Sequence, residues 1–311
     1  MKKLLVGLGA ILLIYLLITF FVSGMVLDTP HRSLDESYRI AKERWHLNLD
    51  SIETTLPRRE EVSFTSPVDG LTLRAWLYRQ DTSTCGIILA HGYNDTRVAM
   101  LKYTPVFDRC GCDLLLYDHR GFGDSDEAYA TGGVNEAADL VTAHQFLRQA
   151  TGLSDQQIGW VGESWGASTA LIGAGSGGVS PAFVVAESPY SDWETAITER
   201  GKRDFGPVLS WLTPGTFTWV GLRNGTDFAA ASPLRYAESI TTPVLLVHSR
   251  QDTLTAPVQS DRIAERIRPD LLTYRPLDWG AWHAHNIVWQ PDTYARMVDS
   301  FLVANYPAFC R

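Results

Sequence analysis

Gly162-Glu163-Ser164-Trp165-Gly166 is the stretch on which the reading of this chain turns. A short apolar run, Ile158-Gly159-Trp160-Val161, precedes it, and Ala167-Ser168-Thr169-Ala170-Leu171-Ile172, which reads as a helix, follows. Strand, then G-x-S-x-G, then helix is the pattern of a nucleophile elbow, a sharp turn that lifts a serine hydroxyl above the end of a strand. The small residues two before and two after the serine let backbone and helix close around it.

Outward from the elbow, strands and helices alternate. Glu61–Ser66 and Leu71–Arg79 flank the turn signal Pro67-Val68-Asp69-Gly70 and predict a hairpin. Gly86–Ala90, Asp113–Tyr117, Phe183–Ala186, Pro243–Val247 and Leu271–Pro276 read as buried strands. Helices are expected near Arg97–Asp108, Asn135–Ala150, Pro257–Ile267 and Thr293–Ala304. Short all-apolar strands between helices imply an α/β fold, a mostly parallel sheet covered on both faces. Residues 188–232 break the rhythm with Trp193, Trp211, Trp219 and several prolines and glycines, so they are expected to form a small cap over the sheet's C-terminal edge, or otherwise a long loop.

An alcohol near neutral pH needs a base within hydrogen-bond reach, and the base needs a group to orient it. With Ser164 as nucleophile, Asp252 follows the strand ending Leu245-Leu246-Val247-His248 and is the expected acid. Trp279-Gly280-Ala281-Trp282-His283-Ala284-His285 follows the last strand. His283 is the preferred base, and His285 is an alternative base or a pocket residue. The order Ser, Asp, His is that of elbow-type hydrolases. An oxyanion hole needs two backbone N–H groups. Trp165, after the nucleophile, and Tyr93, in the loop His91-Gly92-Tyr93-Asn94 after a strand, are the expected donors, with His91 shaping the loop.

Together with Asp118-His119-Arg120-Gly121-Phe122-Gly123-Asp124-Ser125 and Ser232-Pro233-Leu234, these segments resemble those of the α/β-hydrolase fold from about Glu60 to Tyr306. Within that superfamily the chain is similar to the Bem46/YqkD-like membrane-anchored serine hydrolases, close to prolyl oligopeptidase-type and cinnamoyl-esterase-type enzymes. The resemblance implies a structural role for Asp118–Ser125, in which the arginine and glycines tie the loop beside the nucleophile. Ser249 departs from the His-Gly usual before the acid turn. The chemistry implied is acyl transfer without metal or organic cofactor.

Net charge is −8, and Lys2 and Lys3 are the only charges in residues 1–27, so the remainder carries −10. That balance argues against nucleic acid as a partner. Leu4 to Leu27 contain no charge. As a helix they span roughly 36 Å, enough to cross a bilayer. An uncleaved anchor is expected, with a signal peptide cleaved near Val22-Ser23-Gly24 as the alternative. Residues 28–59 then form a juxtamembrane segment with an amphipathic helix over 33–49, a stalk in outline, and 60–311 the hydrolase domain. The catalytic domain is expected outside the cytoplasm. There Cys85 and Cys112, at the starts of neighbouring strands, can pair or remain buried thiols. The sequon Asn94-Asp95-Thr96 falls in the oxyanion loop, where a glycan would obstruct, which favours a compartment without N-glycosylation.

Ten tryptophans, seven of them near the expected site or cap, suit an apolar or aromatic acyl ester, a small molecule or a lipid-like one, if they line the pocket; otherwise they pack the core. Three functions stay open. One is a carboxylic ester or thioester hydrolase. One is a serine peptidase, which wants a free acidic cluster such as Glu194 and Glu199 in the cap. One is a non-catalytic anchored binding protein on the same scaffold.

Overall fold

The computed structural model describes residues 1–29, 31–307, 309 and 310, with all their side chains except those of Val208 and Leu209. The chain begins with α1 (Lys2–Leu27), α2 (Leu34–Arg44) and the short α3 (Leu49–Glu53). The strands are β1 (Arg59–Thr65), β2 (Thr72–Tyr78), β3 (Gly86–Ala90), β4 (Asp113–Tyr117), β5 (Ile158–Glu163), β6 (Val184–Glu187), β7 (Val244–Ser249) and β8 (Leu272–Leu277). The helices among and after them are α4 (Val134–Thr151), α5 (Trp165–Gly175), α6 (Trp193–Phe205), α7 (Thr213–Asn224), α8 (Pro233–Tyr236), α9 (Val258–Ala264), α10 (Asn286–Trp289) and α11 (Pro291–Asn305).

Among the described residues eight strands form one sheet in the order β1-β2-β4-β3-β5-β6-β7-β8. The hairpin β1–β2 is antiparallel, β2 pairs antiparallel with β4, and all other neighbours are parallel. This is the α/β-hydrolase architecture. Alternation within β3 sends Ile87 and Leu89 into one apolar layer and Ile88 and Ala90 into the other. Helices α4 and α5 cover the second layer through Leu140, Leu147, Ala167 and Leu171, and α11 covers the first through Tyr294, Val298 and Phe301. Every residue of β3, β4 and β5 is buried, as a central parallel sheet requires.

Three local expectations change. The segment expected as a helix over 97–108 is a 3-10 stretch, Arg97–Cys110, interrupted by Pro105, which lacks the N–H that a regular helix would use. The helix expected over 33–49 ends at Arg44, and the chain turns at His46 (φ 55°) into α3, capped by Asn48. Nor is α2 a free stalk: Ala41 is buried in the main core and Ser37 Oγ donates to Asp95 Oδ1 at 3.1 Å. Residues 188–232 are largely helical, carrying α6, α7 and two 3-10 turns.

Cys85 is bonded to Cys112, stapling β3 to β4 at their starts. A second bridge, Cys110–Cys310, was not anticipated and ties the C-terminal end to the turn before β4.

Candidate active site

The turn after β5 explains its own sequence. Ser164 has φ 52° and ψ −112°, a conformation that L side chains rarely adopt. A Cβ on Gly162 would lie 2.4 Å from the Gly166 carbonyl oxygen, and one on Gly166 would lie 2.1 Å from that of Ala90. Any side chain at either position therefore pushes α5 off the sheet. Ser164 N–H donates to the Glu187 carbonyl at 2.7 Å, which holds the strained residue over β5 and β6.

Two loops at the same edge of the sheet meet this serine. His283 Nε2 lies 2.7 Å from Ser164 Oγ, and His283 Nδ1 lies 2.7 Å from Asp252 Oδ2. Asp252 is 4% exposed and its Oδ1 accepts the N–H groups of Leu254 and Thr255, both at 2.9 Å. Burial alone would raise this carboxyl, but the charges of and hydrogen bonds from His283 and His248 outweigh it and hold it well below the usual range. His285 does not reach Ser164 in this arrangement. Its Nδ1 faces the carbonyl of His283 at 2.5 Å and its ring packs edge-on against Trp45 of the segment after α2, centroids 5.2 Å apart. Burial, with the charge of Lys102, lowers its pKa and keeps it neutral.

Several groups hold this geometry, and all but Ser249 were not anticipated. His248 Nε2 lies 3.1 Å from Asp252 Oδ2, while its Nδ1 is 2.6 Å from Ser260 Oγ. Ser249 Oγ donates to the Ala281 carbonyl at 2.6 Å, so the residue that departs from the usual glycine ties the acid turn to the histidine loop. Glu187 Oε1 accepts from both N–H and side-chain amide of Asn286, each at 3.0 Å, and Glu187 Oε2 accepts from Tyr103 at 2.7 Å. Burial raises the pKa of Glu187 despite these bonds. Lys102 Nζ lies 2.6 Å from Glu163 Oε2 beneath the serine. Asp95, beside this pair, is pushed up to about 6, by burial first and then by Glu163.

On the other side, Gly92 brings the loop after β3 against Ser164: a Cβ there would lie 3.4 Å from Ser164 Cβ. Tyr93 follows Gly92, and Trp165 is the first residue of α5, where an N–H has no partner inside the helix. His91 is fully buried, with Nδ1 2.7 Å from the Gly92 carbonyl and Nε2 accepting from His119 N–H at 3.0 Å. Burial drives its pKa down to about 4, so it shapes the loop as a neutral ring. Arg120 ties the loop after β4 to both Asp139 oxygens, to Asp69 and to Ser66, and buried Arg97 pairs with Asp118 and with Asp124.

The Tyr93 ring contacts Trp165 at 5.2 Å, and Trp165 contacts Trp193 of α6 at 5.3 Å. Of the other tryptophans, Trp219 packs on α1, Trp279 joins the main core, and Trp282 is 63% exposed beside His283. In the cap, Glu199 is engaged by Arg262 at 3.2 Å and by Gln259 at 2.6 Å, which leaves Glu194 as the free acid of the expected pair. No group of three or more His, Cys, Asp or Glu arranged to hold a metal is found among the described residues.

Comparison with known proteins places the chain among hydrolases. The prolyl oligopeptidase family matches residues 114–277, just over half of the chain. The uncharacterized protein YqkD of Bacillus subtilis is 28% identical over 305 residues, 97% of either chain. The lysophosphatidylserine lipase ABHD12 of Danio rerio is 24% identical over 248 residues, 75% of this chain and 62% of that protein. The esterase Pf2001 of Pyrococcus furiosus superposes with a TM-score of 0.68 at 23% identity, covering 89% of this chain and 98% of its own, a likeness of fold.

Proposed function

We propose that this chain, which belongs to the prolyl oligopeptidase family, is a membrane-anchored serine hydrolase that cleaves a carboxylic ester or thioester through an acyl-enzyme. The observation that carries the reading is the pair of 2.7 Å contacts joining Ser164, His283 and Asp252 on a strained elbow. Ser164 Oγ attacks the carbonyl carbon while His283 Nε2 takes its proton. The N–H groups of Tyr93 and Trp165 hold the oxyanion. The bond to the leaving alcohol or thiol breaks, and His283 returns the proton to it. Water, deprotonated by His283, then attacks the acyl carbon and frees Ser164. Asp252 fixes the imidazole with its proton on Nδ1 and balances its charge.

The aromatic cluster of Tyr93, Trp165 and Trp193 packed beside Ser164 favours an apolar acyl group, and a relative named as a lipase fits that substrate class. Peptide cleavage is less well supported, because Glu199 is occupied by Arg262 and Gln259. We further assign residues 1–27 as anchor, 28–59 as a juxtamembrane segment and 60–311 as the hydrolase domain, with 188–232 as its cap. Among the described residues one helix, Lys2–Leu27, is long and apolar enough to cross a membrane. Two disulfides support a catalytic domain outside the cytoplasm.

The test is fluorophosphonate labelling of the detergent-solubilised protein. Labelling is expected to vanish in Ser164→Ala and His283→Ala and to persist in His285→Ala. Folded wild type that takes no label would leave a binding protein on a hydrolase scaffold, and loss in His285→Ala alone would move the base.

A further inference from the structure

We infer that the uncharged part of the cap, residues 205–222 with most of α7, is a membrane-embedded element, seated in the hydrocarbon of the leaflet on the catalytic domain's side. The inference rests on the reading of residues 4–27 as a membrane span, and adds that the protein meets the bilayer through α7 as well as α1.

The argument starts from register. Tyr15 Oη donates to the Trp211 carbonyl and accepts from Gly215 N–H, both at 3.1 Å. Phe20 packs edge-on against Trp219 at 5.3 Å, and Arg223 donates to Ser23 Oγ at 3.0 Å. Rising numbers on α1 thus meet rising numbers on α7, so the two helices run parallel and side by side. The face of α1 used is Tyr15, Thr19, Ser23 and Leu27, one residue every four, and the last three are fully buried. On α7 the close approach falls at Gly215, where a Cβ would lie 2.7 Å from Thr19 Cγ2. Small residues at the seam are how helices pack where lipid surrounds them.

Depth follows from length. A hydrocarbon core of about 30 Å takes about 20 helical residues. Counted from Leu4, the first residue after Lys3, such a span ends near Ser23. Tyr15 then lies about 12 Å inside the boundary. If the cap stood in water instead, only the turns before Tyr15 would remain for the membrane, about half of what a span needs. The other faces of α1 agree. Leu17 and Phe21 are 60% and 73% exposed alongside the cap, which an aqueous setting would penalise.

The composition of α7 and of the turn before it fits the same depth. Phe205 to Leu222 carry no charge, and Arg223, the first after them, sits level with Ser23, where the hydrocarbon ends. Its guanidinium lies over Phe20 at 5.0 Å and near Tyr129 at 5.7 Å, an aromatic and cationic ring of the kind found at membrane interfaces. Trp211, at the deep end, is 80% exposed, and Leu222 is 71% exposed. Between α1, α6 and α7 lies a small cavity lined by Val22, Val26, Ile197, Leu212 and Phe217. Val26, Ile197 and Phe217 belong to the same apolar cluster as Tyr93 and Trp165, so apolar surface runs from the helix seam to the candidate oxyanion loop.

The test uses the full-length protein in phosphatidylcholine–phosphatidylglycerol vesicles, with one cysteine carrying an environment-sensitive fluorophore. The described native cysteines are all in disulfides and leave no competing thiol. Three sites are compared. Trp211→Cys reports the cap, Ile11→Cys reports the span, and Asp81→Cys reports water at the far edge of the sheet. The expected result is blue-shifted emission at positions 211 and 11, quenching of both by nitroxide-labelled lipid, and iodide access at position 81 alone. Iodide reaching position 211 while position 11 stays protected overturns the embedded cap and leaves the anchor intact. Iodide reaching position 11 as well overturns both.

Discussion

Asp252→Asn separates orientation of the base from mere loss of a carboxylate. The Oδ1 atom of Asp252 accepts two backbone N–H groups, Leu254 and Thr255, and Oδ2 faces His283 Nδ1. An asparagine keeps those two backbone bonds only by leaving its oxygen where Oδ1 was. Its NH2 then points at His283 Nδ1 and donates to it. The imidazole proton is forced onto Nε2, which now donates to Ser164 Oγ and no longer accepts its proton. The fold survives, since the turn keeps its acceptor, but the base is held in the wrong tautomer. Amide-for-acid exchange in such triads costs about 10⁴-fold in kcat, or about 5.5 kcal/mol of transition-state stabilisation. The assay is the pre-steady-state acylation rate with p-nitrophenyl esters of graded chain length, alongside thermal melting. A folded Asp252→Asn protein acylating within about tenfold of wild type would refute the assignment of Asp252 as the group that sets the tautomer.

Three further outcomes follow from the same geometry. Gly166→Ala places a methyl 2.1 Å from the Ala90 carbonyl oxygen, and is expected to lose about 1–3 kcal/mol or more of stability and most fluorophosphonate labelling; a variant that melts and labels like wild type would contradict the packing described. Glu187→Ala strips Asn286 and Tyr103 of a buried acceptor, and is expected to cost about 2–4 kcal/mol and to lower kcat more than it raises KM, because the histidine loop loses its tether; an unchanged kcat in the folded variant would remove Glu187 from that role. For His91, whose pKa falls from 6.5 to about 4, the neutral ring contributes stability that is full above pH 6.5 and is lost as pH falls toward 4. Urea melts should therefore show the difference between wild type and His91→Gln moving by about 3 kcal/mol in the variant's favour from pH 7 to pH 4, and a pH-independent difference would refute it. Asp95 works in the opposite direction in both proteins, since its raised pKa favours the fold at low pH, so it cancels from the comparison.

How much of this was legible in the sequence depended on the range of the interaction. The elbow was legible because its glycines answer to backbone within a few residues and to the neighbouring strand, and both constraints act wherever the pattern occurs. The strands were legible because each is short, apolar and bounded by turns. The order of Ser164, Asp252 and His283 marked the triad candidates, since each follows the end of a strand in a known sequence of loops. His248 was within reach, four residues before Asp252, but it reads as strand until the turn is known to bring its ring back onto the carboxylate. Glu187 and Asn286 are 99 residues apart, and Cys110 and Cys310 are 200 apart, so neither pairing has a local signature.

The same limit hid the most consequential contact, because α1 reads as an anchor in isolation and the cap as an insertion in isolation. In the fold the end of α1 also reaches the candidate site: Tyr93 Oη donates to the carbonyl of Asp28, the residue after α1, at 3.0 Å, and Ala130 N–H donates to the Leu27 carbonyl at 2.9 Å. The end of α1 is thus hydrogen-bonded to the loop proposed to offer an oxyanion donor. An anchor joined to the domain by a flexible tether would leave Tyr93 indifferent to it. Here the position of Tyr93 is set partly by α1, so whatever fixes α1 in a bilayer also fixes one wall of the site.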